Sequence, residues 1–285
     1  MSNNNKTIAF QGFAGAYSDL ACRAVYPEYE TVPCNSFEEA FKAVGNGLTD
    51  LAMIPVDNTL AGRVADVHHL IPKEELHIIG EHFQPIRHAL LGVKGAKKDN
   101  LKHVHSHIHA IPQCKKIIKE LGLEPHVHAD TAGAASEIAE KGDETHAAIA
   151  STLAADIYGL DVLIDDIQDA DHNTTRFLIF SREQVVPKLG EKTPCITSMV
   201  YKVRNIPAAL YKTLGGFATN GISMTKLESY VGENFNVAQF YAEVEGHPDD
   251  PAFVLAIEEL SFYASELSIL GTYPAHEFRN DSTKL

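Results

Sequence analysis

The sequence has no tryptophan, no paired cysteine motif, no long apolar run and no excess of positive charge. Its four cysteines, Cys22, Cys34, Cys114 and Cys195, are scattered without a CxxC pair, the usage of reduced thiols rather than a disulfide framework. No run of about 18 apolar residues occurs, so no membrane-spanning helix is expected. Met1 to Lys6 is short and polar and lacks the apolar centre of a signal peptide, so the expected location is cytoplasmic. Lysine and arginine number 24 against 38 aspartate and glutamate, for a net charge of -14. That balance argues against nucleic-acid or anionic-membrane partners, because both require a basic face. It leaves a small anionic substrate open, since such a molecule needs only local donors. Internal repeats and low-complexity tracts are also lacking.

What is present is a globular composition, 45% hydrophobic in 285 residues, enough for two domains. Apolar strand-type runs alternate with amphipathic helical segments from Thr7 to Phe180, the rhythm of an α/β domain. A change near Pro85 suggests two subdomains with a cleft between them. Thr7 to Gln11 reads as a strand, followed by Gly12-Phe13-Ala14-Gly15-Ala16-Tyr17-Ser18 and a helical segment from Asp19. Strand, glycine turn and helix can aim backbone N–H groups at an anion, and a plain tight turn fits as well. The spacing is not GxGxxG, which argues against a dinucleotide. Ser36 to Glu39 reads as a capping box, and Asp50 to Ile54 as a buried strand ending in the polar cluster Pro55 to Val64. In open α/β sheets ligands gather at such strand ends.

Beyond a polar linker the rhythm becomes strand, helix, strand, strand, helix, strand, the ferredoxin-like arrangement, with Pro207 and Pro251 expected to open the helices. Between these regions, Asp171-His172-Asn173-Thr174-Thr175-Arg176 gathers amide, hydroxyl and guanidinium groups just before the apolar run Phe177 to Phe180. This is either a site or a polar loop leading into a strand.

Histidines at 103, 105, 107 and 109 raise the question of a metal. Period two lines them along one strand face, whereas a metal needs convergent ligands, so a partly exposed strand face is expected and no metal. Asp169 to Asn173 resembles the start of a calcium loop but has Thr174 where the turn glycine belongs. Cys114 follows an expected helix start, which would lower its pKa; a buried structural thiol is the competing reading. What remains is a set of neutral polar groups at turns, Ser18, Asn58, Thr59, Ser106, Gln113, Thr174 and Thr175, with Arg176. Such a set can bind a small carboxylated molecule, but it lacks a strong base or nucleophile.

These residues resemble the prephenate dehydratases that carry a C-terminal ACT domain. The resemblance runs over about residues 6 to 279 in four motifs: Gly12 to Ser18; Pro55-Val56-Asp57-Asn58-Thr59-Leu60-Ala61-Gly62; Ser106 to Cys114; and Thr175-Arg176-Phe177. Asp57, Thr59 and His109 depart from the family's Glu, Ser and Gln. The resemblance implies a two-lobed dehydratase domain of periplasmic-binding-protein type over 6–182, a linker over 183–195 and a ferredoxin-like ACT domain over 196–274. It implies conversion of prephenate to phenylpyruvate, without a cofactor, in phenylalanine synthesis. Thr175 would serve the leaving hydroxyl, with Asn58, Ser106 and Gln113 holding the ring. Ser18, Thr59, Thr174, Arg176 and Phe177 would bind substrate, with Arg176 favouring the side-chain carboxylate or else paired structurally with an aspartate.

The family's ACT motifs read Ala208-Ala209-Leu210 to Leu214 and Glu228-Ser229-Tyr230-Val231 here. They imply an L-phenylalanine site at Ala208, Ala209, Leu210, Glu228 and Ser229, and a homodimer or homotetramer through ACT domains. Alanine for glycine at 208 and Tyr-Val for Arg-Pro at 230 and 231 weaken the ligand site. Two rivals stand beside this reading: an arogenate dehydratase, with Asp57 poised for an ammonium, and a non-catalytic ligand-binding sensor.

Overall fold

The computed structural model describes residues 5–73, 75–190, 194–231 and 237–280. Part of the expected linker, 191–193, lies outside them. The chain divides into two compact units, one of residues 1–67 and 82–177, the other of 68–81 and 178–285.

The first unit opens with β1 (Thr7–Gln11), α1 (Tyr17–Val25), β2 (Glu30–Cys34), α2 (Phe37–Gly45), β3 (Leu51–Asn58), β4 (Gly62–Arg63) and α3 (Ala65–Leu70). β1 pairs in parallel with β2 and β3, and the sheet is completed by β11 (Thr174–Ser181) and β5 (His77–Pro85) in the order β2-β1-β3-β11-β5. Ile8, Ala9 and Phe10 on β1 and Ala52, Met53 and Ile54 on β3 are fully buried, as strands covered on both faces must be. Burying Phe10 alone is worth about 2–3 kcal/mol. The chain passes from one unit to the other within α3, within β5 and within β11.

A second sheet has the order β10-β6-β9-β7-β8. It is built from β6 (Ala89–Gly92), β7 (His103–His107), β8 (Glu124–His128), β9 (His146–Ala150) and β10 (Asp161–Ile164), with α4 (Lys115–Glu120), α5 (Thr131–Lys141) and α6 (Thr152–Tyr158) between strands. β7 runs parallel to β8 and β9, while β6 is antiparallel to β9 and β10. Local chemistry sets the helix ends. Ser36 Oγ accepts the Glu39 N–H at 3.2 Å, and the Glu39 carboxylate reaches back one residue further than a capping box requires, to the Asn35 N–H at 2.7 Å. Asp130 and Ser151 cap α5 and α6, and Gly142 and Gly159 close them in left-handed geometry.

The other unit contains β12 (Cys195–Val203), α7 (Ala209–Thr219), β13 (Met224–Val231), β14 (Val237–Glu245), α8 (Pro251–Tyr263) and β15 (Ala264–Pro274). The order is βαββαβ, in an antiparallel sheet β13-β14-β12-β15. Met199, Tyr201, Phe217, Phe240, Phe253 and Leu260 form its core. Residues 68–81 belong here for a chemical reason. The carboxylates of Glu81 and Glu243, 7% and 0% exposed, converge on Arg279, at 2.6 and 2.8 Å and at 3.1 Å respectively. A buried carboxylate without such a partner would be costly. His68 also sets its ring edge-on to Tyr241.

Three local expectations change. β11 begins at Thr174, so Thr174, Thr175 and Arg176 lie on the strand rather than ahead of it. Proline opens α8 as expected, but α7 begins at Ala209, and its cap Ala208 is left-handed at φ +56°, a conformation that Pro207 cannot supply. The segment at Pro112 is a tight helical turn, Ile111–Cys114, before α4.

Candidate active site

The polar groups at the end of β3 and the start of β11 form one directional hydrogen-bond chain. Its polarity is fixed at Asn58. The Asn58 Oδ1 accepts the backbone N–H groups of Leu60 and Ala61 at 2.9 and 2.8 Å. The amide nitrogen must therefore donate, and it does so to Asn173 Oδ1 at 2.8 Å and to Thr175 Oγ1 at 2.9 Å. Asn173 in turn donates to Gln113 Oε1 at 2.6 Å. Gln113 Oε1 is also 3.0 Å from His88 Nε2, so that nitrogen carries the proton. His88 Nδ1 is then an acceptor, 2.7 Å from the Tyr17 hydroxyl, whose proton is shared with the Arg87 carbonyl at 2.7 Å. Burial holds the His88 pKa below the usual imidazole value, against the Gln113 bond, and raises that of Tyr17. Both side chains are neutral at pH 7.

Two donors in this chain are unspent. Thr175 receives a bond from Asn58, and its own proton meets no acceptor among the described residues. Gln113 accepts twice through Oε1, and its amide N–H groups likewise meet none. The arrangement can present two neutral, preorganised donors to a ligand oxygen. It supplies no strong base.

The remaining expected site residues are placed differently. Thr59 is a clasp between turns, donating to the His172 carbonyl at 2.7 Å and accepting the Thr174 N–H at 2.9 Å. Ser106, expected to hold the ring, is fully buried, and its hydroxyl donates to the Ile149 carbonyl at 2.6 Å. Phe177, expected as a substrate contact, is 1% exposed and lies in the core. Thr174 is buried at the head of β11. The Arg176 side chain is 8% exposed, lies 3.7 Å from Asp57 and sits over the Phe83 ring, which favours the structural alternative for it. Burial, then Asp169, pushes the Cys114 thiol up to about 12, and the helix start does not lower it.

Four amides of the glycine turn are committed within the protein. The N–H groups of Gly12 and Ala16 bond to the Cys34 and Phe13 carbonyls, and two carboxylates take two more: Asp130 accepts Phe13 N–H at 3.1 Å and Asp19 accepts Gly15 N–H at 2.8 Å. Ser151 and Tyr158 seal the loop by donating to the Gly15 and Ala14 carbonyls. Ser18 stays buried in the first turn of α1, where backbone amides have no intrahelical acceptor. A cavity of about 340 Å³ is lined by Leu20, Gln84, Pro85, Arg87, Ser151, Thr152, Asp165 and Asp166, none of them an expected site residue.

Among the five residues expected to bind an effector, Ala208 caps α7, Ala209 is buried, Leu210 packs on the core, and Glu228 and Ser229 lie on β13. The sequence reading missed Tyr17, His88 and Asn173 as site residues. Asn173 and Tyr17 stood inside the motifs it weighed, whereas His88 carried no local signal.

The prephenate dehydratase family profile matches residues 8–185. A bifunctional N-acyl-homoserine lactone acylase/prephenate dehydratase of Komagataeibacter europaeus is 48% identical over 97% of this chain and 99% of its own length. A chloroplastic arogenate dehydratase/prephenate dehydratase of Arabidopsis thaliana is 39% identical over 94% of this chain and 71% of its own. Among solved structures, the prephenate dehydratase of Arthrobacter aurescens in complex with L-Phe superposes with a TM-score of 0.86, at 28% identity over 94% of this chain and 90% of that one.

Proposed function

We propose, for a chain that belongs to the prephenate dehydratase family, the decarboxylating dehydration of prephenate to phenylpyruvate, CO2 and water. The observation that carries this reading is the bond from Asn58 Nδ2 to Thr175 Oγ1 at 2.9 Å. In the reaction the bond from the ring to its carboxylate breaks, and that electron pair enters the ring. The ring C–O bond breaks, and the departing hydroxide takes a proton to become water. Charge therefore builds on one oxygen. A hydroxyl that already accepts a bond from Asn58 is a better donor toward that oxygen than an isolated one. Thr175 donates and orients, with the proton itself relayed from water, since a threonine hydroxyl is too weak an acid to surrender it outright. Gln113 supplies the second donor. The two sheets of the first unit would form the two lobes, with the substrate between them.

The βαββαβ unit reads as an ACT domain with an L-phenylalanine site near Ala208 to Leu210 and Glu228 to Ser229, active as a homodimer or homotetramer. Feedback by phenylalanine follows from that reading. For arogenate the substrate brings an ammonium that Asp57 would have to meet. Asp57 already faces Arg176 at 3.7 Å, which favours the keto acid. The identity of 48% to a protein also named as an N-acyl-homoserine lactone acylase supports a second activity, amide hydrolysis of that lactone class.

The test is phenylpyruvate formation from prephenate by the purified protein, with and without L-phenylalanine, alongside arogenate and an N-acyl-homoserine lactone. Turnover suppressed by phenylalanine is the expected result. Turnover that phenylalanine leaves unchanged would remove the effector site while keeping the enzyme. Tight prephenate binding without turnover of any substrate would overturn the reading in favour of a sensor.

A further inference from the structure

The histidines that look collinear in the sequence are not alone on their face. Parallel pairing sets His103 opposite Glu124 and His146, His105 opposite His126, and His107 opposite His128. Residues in register on neighbouring strands project to the same face. The second dimension that a ligand set requires is thus supplied by β8 and β9, and β8 adds a carboxylate, Glu124.

The geometry at one corner is that of a ligand set. His103 Nδ1 lies 3.1 Å from His126 Nε2 and 3.4 Å from Glu124 Oε2, and one ligand atom from each residue falls within 4.8 Å of the others. A tetrahedral ion with bonds of about 2.0–2.1 Å sets its ligand atoms about 3.3–3.4 Å apart. Ring stacking holds both imidazoles: His103 on His146 at 4.5 Å and 25°, His126 on His105 at 4.7 Å and 16°. The Glu124 side chain is 68% exposed and that of His103 29%, which gives an ion a path in. β8 is the edge of its sheet.

We propose that His103, His126 and Glu124 bind a divalent cation of the zinc class, with water in the fourth position, and that the ion staples the edge strand β8 to β7. Two neutral imidazoles and one carboxylate match the donor preference of zinc rather than that of magnesium or calcium. His103 opens β7, whereas Gln113 follows its other end, so this group is separate from the Asn58–Thr175 chain.

The experiment is calorimetric titration of chelator-treated full-length protein with ZnCl2, repeated with cobalt(II) to read four-coordinate visible bands. One equivalent with a micromolar dissociation constant is expected. His126→Ala should abolish it, Glu124→Gln should weaken it about tenfold or more, and His128→Ala should leave it intact. Glu124→Gln changes an exposed group, so it reads the site even if the histidine variant folds poorly. Hydrogen exchange of the β8 amides should slow on adding zinc. Absence of zinc uptake, or uptake unaffected by Glu124→Gln, would overturn the proposal, leaving only an imidazole pair bonded to itself. Because the readout is metal binding, the outcome is independent of dehydratase activity.

Discussion

Asn58→Asp tests the directionality of the site with almost no change of shape. One aspartate oxygen can still accept the N–H groups of Leu60 and Ala61. The other replaces the amide nitrogen, 2.9 Å from Thr175 Oγ1 and 2.8 Å from Asn173 Oδ1. Where wild type has a donor facing two acceptors, the variant has a charged acceptor. Thr175 resolves the conflict by turning its proton onto the carboxylate. Asn173 can resolve it only by flipping its amide, which then sets its oxygen against Gln113 Oε1, 2.6 Å from the flipped atom. The reversal passes along the chain to His88 and Tyr17.

The cost can be bounded. A hydroxyl bonded to a carboxylate is held by about 1.5–3 kcal/mol, and that bond must break before the proton can face the leaving oxygen. A barrier raised by this amount slows kcat by about 10- to 150-fold. The assay is phenylpyruvate formation under saturating prephenate, with circular dichroism to show that the variant folds. Thr175→Ala is run beside it, together with the double variant. If Asn58 acts through Thr175, the double variant is no slower than Thr175→Ala alone. A folded Asn58→Asp enzyme with kcat within about threefold of wild type, or strictly additive effects, would refute the polarity argument.

Other consequences follow from single residues. Gly15 sits at φ +86°, and a Cβ added there would stand 2.8 Å from the Ala154 Cα; Gly15→Ala should therefore cost about 2–5 kcal/mol in denaturant unfolding, and a loss under about 1 kcal/mol would show that α6 can move aside. Ala208 is strained at φ +56°, so Ala208→Gly should raise the stability by up to about 1 kcal/mol after the entropy cost of glycine, with a drop in midpoint counting against the strain. His88 is held neutral by burial, so its folded pKa lies below the unfolded value. Its contribution to stability is complete above about pH 6.5 and is lost as pH falls toward the folded pKa. Imidazole NMR should show His88 titrating below 6.5, and a midpoint above that value would contradict the neutral, acceptor state of Nδ1.

The sequence carried the site in part, and the reason lies in which contacts are local. Asn58 was legible because its role begins with its own turn, where Leu60 and Ala61 are two and three residues away. Thr175 was legible as a hydroxyl at the head of a buried strand. Gln113 was selected with them but could not be joined to them, because Asn173, sixty residues distant, makes the connection. His88 and Tyr17 enter the same chain from seventy-one residues apart and leave no periodic trace. Ser106 and Phe177 stood in the same motifs, and their burial was not legible because it is a property of the packed sheet. The alternation of His103, His105 and His107 on one face of β7 was legible, whereas His109 lies in the turn beyond the strand. The register with β8, which adds Glu124 and His126, is fixed only by pairing across twenty-one residues.

For a chain of net charge -14, the proposed dianionic substrate needs an account of where the negative charges go. The obvious cationic and amide donors near the site are already committed. Arg176 faces Asp57, Arg87 faces Asp166 at 2.9 Å, and Asp19 and Asp130 take the Gly15 and Phe13 amides of the glycine turn. What remains near the reacting centre is neutral: the Thr175 hydroxyl and the Gln113 amide. For the proposed reaction this is an advantage. One carboxylate must depart as CO2, and a strong ion pair to it would stabilise the ground state more than the transition state. Neutral donors aimed at the leaving hydroxyl do the opposite, since they bind most strongly when charge has developed there. A less neutralised cation should therefore tighten binding and slow turnover: Asp57→Asn, which removes the negative charge 3.7 Å from Arg176, should lower KM and kcat together.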